Sequence, residues 1–103
     1  MSYGLNDIDL ERISHLFKSN GHIESVILYG SRAKGNYKPF SDVDITLKGD
    51  GLTRHDLNHL KLSIDDLLLP YQFDISIFKS LKNPDLIDHI NRVGITIYQK
   101  EDT

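Results

Sequence analysis

Two strand-like segments of this chain are joined by a connection that is too short for parallel pairing. Residues 25–29 read SVILY, an apolar run that ends at Gly30, and residues 42–47 read DVDITL, in which polar and apolar side chains alternate. Both patterns are typical of β-strands. Only eleven residues separate Gly30 from Asp42, whereas a parallel crossover requires about a dozen or more. The two strands are therefore predicted to pair antiparallel, with Gly30 and Ser31 beside Asp42.

The rest of the chain alternates helical and strand patterns. Apolar residues at a spacing of three and four predict helices, and Thr53, Asn83 and Pro84 are typical residues for helix starts. The predicted fold class is α/β (α+β), a small mixed β-sheet of three to four strands flanked by helices. The further predicted elements are helices over 7–20, 53–70 and 83–94, a strand over 73–78 and a short candidate strand over 95–98.

Length and composition limit what the chain can do. Its 103 residues predict one domain over 1–103, with the polar tail 99–103 expected to fray. The absence of cysteine excludes disulfides and thiolate metal sites, and no segment resembles a signal peptide or a membrane span, so a cytoplasmic location is expected. The net charge of -3 argues against constitutive nucleic-acid binding.

Apolar residues near the end of the second predicted helix divide into two groups. Leu67 and Leu68 continue the helical stripe that is expected to face the core. Leu69 and Tyr71 lie outside that stripe, which makes them the candidates for excess apolar surface.

Three aspartates are predicted to meet at one edge of the sheet. Because side chains alternate along a strand, Asp42 and Asp44 project from one face while Val43 and Ile45 project from the other. A full helix separates the second strand from the third, which suits a parallel crossover, and parallel pairing brings Asp74 to the first two carboxylates. Desolvated together, three carboxylates repel one another unless a cation neutralises them.

The residues around these aspartates suggest phosphoryl or nucleotidyl transfer. Oxygen ligands favour Mg²⁺ or Mn²⁺, and Mg²⁺ commonly binds through carboxylates and substrate phosphates. Gly30 permits close approach of the backbone, Ser31 offers a hydroxyl and an N–H at the start of a short helical turn, and Arg32 and Lys34 supply positive charge for a triphosphate. Ser41 is a further candidate phosphate ligand, although its hydroxyl is equally suited to shaping the turn.

These motifs resemble those of the minimal nucleotidyltransferases in the DNA polymerase β-like superfamily. The resemblance rests on Gly30-Ser31, ten intervening residues, the Asp-Val-Asp of residues 42–44, and Asp74 on a later strand. It implies that Asp42 and Asp44 are ligands of two Mg²⁺ ions, with Asp74 as the third carboxylate near the acceptor. Small members of this group are commonly antitoxin partners of HEPN-domain toxins, and some transfer AMP from ATP to a tyrosine of the toxin.

The function predicted from the sequence is a Mg²⁺-dependent transfer of AMP from ATP to a hydroxyl. Because the chain has no residues left for an acceptor-binding domain, the acceptor is expected on a second protein, and the resemblance favours a HEPN-type toxin. The first alternative is a non-catalytic antitoxin that blocks its partner by binding. The second is transfer to a small molecule such as an aminoglycoside, which would require a helper domain or a dimer. Homo- and hetero-oligomers are both compatible with these functions.

Overall fold

A four-stranded mixed sheet forms the centre of the structure, a computed structural model that describes residues 3–101. Within that range, four α-helices and a 3-10 turn at Phe78–Ser80 connect the strands. No helix among them is long and apolar enough to cross a membrane. The helices and strands are α1 (Asp7–Lys18), β1 (Ser25–Tyr29), α2 (Gly30–Lys34), β2 (Val43–Lys48), α3 (Arg54–Asp66), β3 (Phe73–Ile77), α4 (Pro84–Val93) and β4 (Ile95–Gln99).

Strand pairing follows the lengths of the connections. The order across the sheet is β3-β2-β1-β4. The short connection through α2 gives antiparallel pairing of β1 with β2, and the crossover through α3 gives parallel pairing of β2 with β3. The predicted fold class and both predicted pairings are therefore confirmed. β4, the candidate fourth strand, pairs antiparallel with β1.

The two faces of the sheet bury different side chains. Helices α1 and α3 cover one face, where Phe17, Ile45 and Leu60 belong to the main hydrophobic core. The other face carries a smaller cluster of Ile27, Tyr29 and Ile90 beneath α4. Since alternate residues of β2 point to opposite faces, its polar side chains lie on the side of this smaller cluster.

The end of α3 departs from the sequence prediction. The helix stops at Asp66, and Leu68 has a positive φ of 54°. Leu68 is consequently 88% exposed, whereas Leu69 and Tyr71 pack against the main core. The predicted roles of these three residues are wrong because the helical spacing no longer applies once the helix has ended.

The ends of α1 and β4 differ from the predicted ends by one or two residues. α1 ends at Lys18, two residues before the predicted end. Gln99, the first residue of the predicted tail, is the last residue of β4, and the N–H of Lys100 donates to the carbonyl of Glu24 at 2.7 Å. Residues 102–103 of that tail lie outside the described residues.

We expect the Asn83 side chain to stabilise α4 at its first turn. Its Oδ1 accepts hydrogen bonds from the N–H groups of Asp85, at 2.9 Å, and Leu86, at 3.4 Å. Asn83→Ala should lower the free energy of unfolding in urea by about 1 kcal/mol, the usual cost of losing an N-cap. Asn83→Asp, which keeps the acceptor, should stay close to wild type. An equal loss in both variants would show that the cap hydrogen bonds are not the cause.

Candidate functional site

The parallel pairing of β2 with β3 places two carboxylates at matched positions. Asp44 and Asp74 are register partners on the adjacent strands, and Asp42 directly precedes β2. Asp44 is half-buried, while Asp42 and Asp74 are exposed. Burial raises the pKa of Asp44 above its ordinary value, the charges of Asp74 and Asp42 raise it further, and His89 opposes them. The three predicted carboxylates therefore interact electrostatically at one edge of the sheet.

Gly30 packs directly against the Asp44 carboxylate. It is the first residue of α2, immediately after β1, and has φ of 73°, a conformation that side-chain-bearing residues rarely adopt. A β-carbon at this position would collide with the carboxylate oxygen of Asp44. Glycine is thus required here for two separate reasons, its backbone conformation and the space that Asp44 occupies. The same closeness leaves the backbone of Gly30 next to any group bound by Asp44.

His89 is a site residue that is absent from the sequence prediction. Its Nε2 accepts a hydrogen bond from the N–H of Gly30 at 3.2 Å. Its ring lies edge-on to Tyr29, with centroids 6.2 Å apart. The sequence does contain a signal for it, since residue 89 falls at helical spacing from Leu86, on the face of α4 that also buries Ile90.

Polar side chains beneath the carboxylates form hydrogen bonds with each other. The hydroxyl of Ser76 donates to the hydroxyl oxygen of Thr46 at 2.9 Å, across the β2–β3 pair. Burial raises the pKa of Tyr29, a hydrogen bond with Ser76 opposes this shift, and the charges of Asp74 and Asp44 add to it. The negative charges of Asp44 and Asp74 therefore also act on Tyr29, at the base of the site.

Arg32 is directed into the protein and holds the loop before β2. The residue is 2% exposed, and its guanidinium donates to the carbonyl oxygens of Ser41 at 2.8 Å, Tyr3 at 3.0 Å and Pro39 at 3.4 Å. It also lies over the ring of Tyr37, 5.2 Å from the centroid. This placement speaks against the predicted phosphate contact of Arg32, because a guanidinium buried on three carbonyls presents no surface to a phosphate.

The other predicted phosphate ligands differ in their surroundings. The Ser41 hydroxyl accepts a hydrogen bond from the N–H of Lys38 at 2.8 Å, so of its two suggested roles it fulfils that of shaping the turn. Ser31 is in the first turn of α2, next to Gly30, and is partly exposed. Lys34 is exposed at the end of the same helix. Of these predicted ligands, Gly30 packs against the Asp44 carboxylate, and Ser31 follows it in α2.

The carboxylates suit a metal ion that is shared with a substrate. Among residues 3–101, no group of three or more His, Cys, Asp or Glu side chains is placed to hold a metal ion by itself. Mg²⁺ commonly binds through only one or two carboxylates and completes its coordination with waters and substrate phosphates. The mutual repulsion at Asp44 also provides a site where a cation would be favourable. The donor set thus fits Mg²⁺ that arrives with a nucleotide.

Comparison with known proteins identifies the fold. Residues 11–103 match the model of the family described as Polymerase beta, Nucleotidyltransferase. None of the curated proteins matches the chain.

Three solved structures show how the fold compares. A toxin-antitoxin complex crystallised with AMP-PNP has a TM-score of 0.71 at 19% identity, over 89% of this chain and 74% of that one. The tri-AMPylated HEPN toxin of Shewanella oneidensis in complex with MNT antitoxin gives 0.66 at 16% identity, over 90% and 71%. A putative nucleotidyltransferase from Sulfolobus solfataricus gives 0.53 at 17% identity, over 88% and 77%. At these identities the similarity shows a shared fold.

Replacing Arg32 by Lys is expected to destabilise the protein. A single ammonium group cannot reproduce the planar fork that reaches three carbonyls, so Arg32→Lys should lower the free energy of unfolding in urea by about 2–4 kcal/mol. Lys34→Met, at an exposed position of the same helix, should change it by less than about 0.5 kcal/mol. Unchanged stability together with weaker binding of Mg²⁺-ATP in Arg32→Lys would instead support the phosphate contact.

Replacing Asp44 by Asn is expected to stabilise the metal-free protein at neutral pH. Because the pKa of Asp44 is raised in the folded state, its ionised form opposes folding, and this penalty disappears as the pH falls through the raised pKa towards the ordinary value of 3.8. In EDTA, Asp44→Asn should therefore exceed wild type in free energy of unfolding at about pH 7 and converge with it in acid.

The matched control for this measurement is Asp50→Asn. The Asp50 side chain is 97% exposed, 3.9 Å from the Lys79 ammonium, and such a contact contributes little. Its unfolding curve should stay close to wild type at every pH. Lower stability of Asp44→Asn than of wild type at neutral pH would contradict the repulsion inferred at the carboxylates.

Proposed function

The chain belongs to the polymerase β nucleotidyltransferase family, and we propose that it transfers AMP from ATP to a tyrosine hydroxyl of a HEPN-type toxin, acting as an antitoxin. The observation that carries this proposal is the juxtaposition of Asp44 with Asp74, with Gly30 packed against Asp44. Burial and the charge of Asp74 raise the pKa of Asp44 beside the closely packed backbone of Gly30, and this arrangement is suited to a metal-bound triphosphate.

The two carboxylates at the start of β2 would hold the metal. Asp42 and Asp44 are the proposed ligands of two Mg²⁺ ions. When bound, these ions supply positive charge at the attacking and leaving oxygens of an in-line displacement. The backbone of Gly30 and the hydroxyl of Ser31 lie on the β1 side of Asp44, where they would contact the phosphates of the nucleotide.

Asp74 is the proposed base for the acceptor. It lies on β3, on the other side of Asp44 from Gly30, so it can reach a hydroxyl without displacing the phosphates. In the reaction the acceptor oxygen forms a bond to the α-phosphorus, the bond from that phosphorus to the pyrophosphate oxygen breaks, and the hydroxyl proton passes to Asp74. The exposure of Asp74 leaves it open to a large acceptor.

The nature of the acceptor is supported by the similar structures. One is a toxin-antitoxin complex with AMP-PNP, and another contains a tri-AMPylated HEPN toxin with MNT antitoxin. The exposure of Asp42 and Asp74 is compatible with the same conclusion. A protein acceptor would bring its own hydroxyl to this open edge of the site.

Intact-protein mass spectrometry tests this proposal. A small amount of the chain, with Mg²⁺-ATP and an excess of the purified HEPN-type protein of the same organism, should add AMP to many copies of that protein. EDTA and the double variant Asp42→Asn/Asp44→Asn should abolish the gain in mass. Asp74→Asn should keep most of the affinity for Mg²⁺-ATP but slow transfer on the order of 10²–10⁴-fold, the usual contribution of a positioned base.

The exposed-surface variant Asp50→Asn serves as the control and should label its partner at the wild-type rate. A second pattern of results would identify the chain as a binding module without catalytic activity. Inhibition of the partner that is stoichiometric, independent of nucleotide and unaffected in Asp42→Asn/Asp44→Asn would overturn the catalytic proposal.

A further inference from the structure

A phenylalanine beside the site is almost completely exposed to solvent. Phe40 is 93% exposed, the highest value among the large exposed hydrophobic residues of the described chain, and it is two residues from Asp42. A phenyl ring has a large apolar surface that folding normally buries. Its exposure at the rim of a site therefore suggests that another molecule covers it.

The backbone that presents Phe40 is held on both sides. The Arg32 guanidinium donates hydrogen bonds to the carbonyl of Ser41 at 2.8 Å and to that of Pro39 at 3.4 Å. These two residues flank Phe40. The Ser41 hydroxyl accepts from the N–H of Lys38 at 2.8 Å, which closes the turn across it. The ring is thus exposed on an ordered turn, and a partner that binds it loses little conformational entropy in doing so.

The turn is connected to the segment that leads into the strand of the proposed base. Arg32 is also stacked over Tyr71, 5.4 Å from the ring centroid, and the N–H of Val43 donates to the carbonyl of Gln72 at 2.8 Å. Tyr71 and Gln72 lead directly into β3, the strand that carries Asp74. Gly30 and its contact with His89 belong instead to the β1 side of Asp44. The turn that carries Phe40 is therefore connected, through Arg32 and Val43, to the segment that leads into the strand of the proposed base.

The charge around Phe40 indicates what its partner carries. Residues 31–41 contain no acidic side chain, and Lys34 and Lys38 are exposed there, although the whole chain has a net charge of -3. A positive segment on an acidic protein attracts a partner with carboxylates at the matching position. An apolar ring flanked by ammonium groups suits a protein surface that combines an apolar pocket with carboxylates.

We infer that Phe40 is a docking residue for the acceptor protein. The ring of Phe40 enters an apolar pocket of that protein, which is bordered by carboxylates and lies next to the hydroxyl that receives AMP. This inference rests on the proposed function and adds to it the surface by which the acceptor is recognised. The docking surface consists of Phe40 with Lys34 and Lys38 at its edge. Its role is to position the acceptor hydroxyl at Asp74.

Titration calorimetry of Phe40→Ala tests this role directly. The probe is the purified HEPN-type protein of the same organism, titrated without nucleotide, and Mg²⁺-ATP is titrated separately. Phe40→Ala should weaken binding of the HEPN-type protein on the order of 10- to 100-fold, as for a buried aromatic anchor. Its affinity for Mg²⁺-ATP and its thermal unfolding should equal those of wild type, because the ring contacts solvent in the free protein.

The matched control is Leu62→Ala, which removes an exposed apolar side chain, 65% exposed on α3. It should bind the HEPN-type protein like wild type. In the transfer assay, Phe40→Ala should raise the KM for the acceptor with kcat little changed.

Three results would overturn the inference. These are equal affinity of Phe40→Ala and wild type for the HEPN-type protein, no binding of that protein by wild type, and a loss of Mg²⁺-ATP affinity in Phe40→Ala, which would place the nucleotide base on the ring. The proposed function fails in a distinguishable way, since wild type would then bind the HEPN-type protein without transferring AMP to it.

Discussion

The parallel pairing of β2 with β3 is the constraint on which the site depends. It puts Asp44 and Asp74 at matched positions on adjacent strands, where burial raises the pKa of Asp44 and the negative charge of Asp74 raises it further. Folding alone gains nothing from this arrangement. In the proposed function, this arrangement would favour a cation and the polyphosphate that the cation accompanies.

The buried guanidinium of Arg32 fixes the loop that precedes β2 and borders the site. Arg32 occupies the second position after Gly30, yet its guanidinium turns away from the carboxylates and onto the carbonyls of the loop before β2. Since a charge buried in this way is stable only while its hydrogen bonds are satisfied, the loop and α2 hold each other in place. The same contacts that fix the start of β2 also fix the turn that exposes Phe40.

Parts of this arrangement follow from residues that are neighbours in sequence. The strands at 25–29 and 42–47, the Asn83 cap and the two pairings of β2 were all predicted, because alternation, capping residues and connection lengths depend on short stretches of chain. The meeting of Asp42, Asp44 and Asp74 at one edge follows from those pairings. Which of them bind metal, and whether Ser31 contacts phosphate, stay predictions.

Other parts depend on packing between distant segments, which short patterns do not encode. The sequence by itself determined the elements, their order and the edge where the carboxylates gather. Only the tertiary structure decided that Arg32 is buried, since its partners include Tyr3 and Tyr71, and that His89 reaches Gly30 from α4. The physical reason is that a side chain's direction depends on which groups from remote elements satisfy its charge and hydrogen bonds, and these are brought together only by the fold.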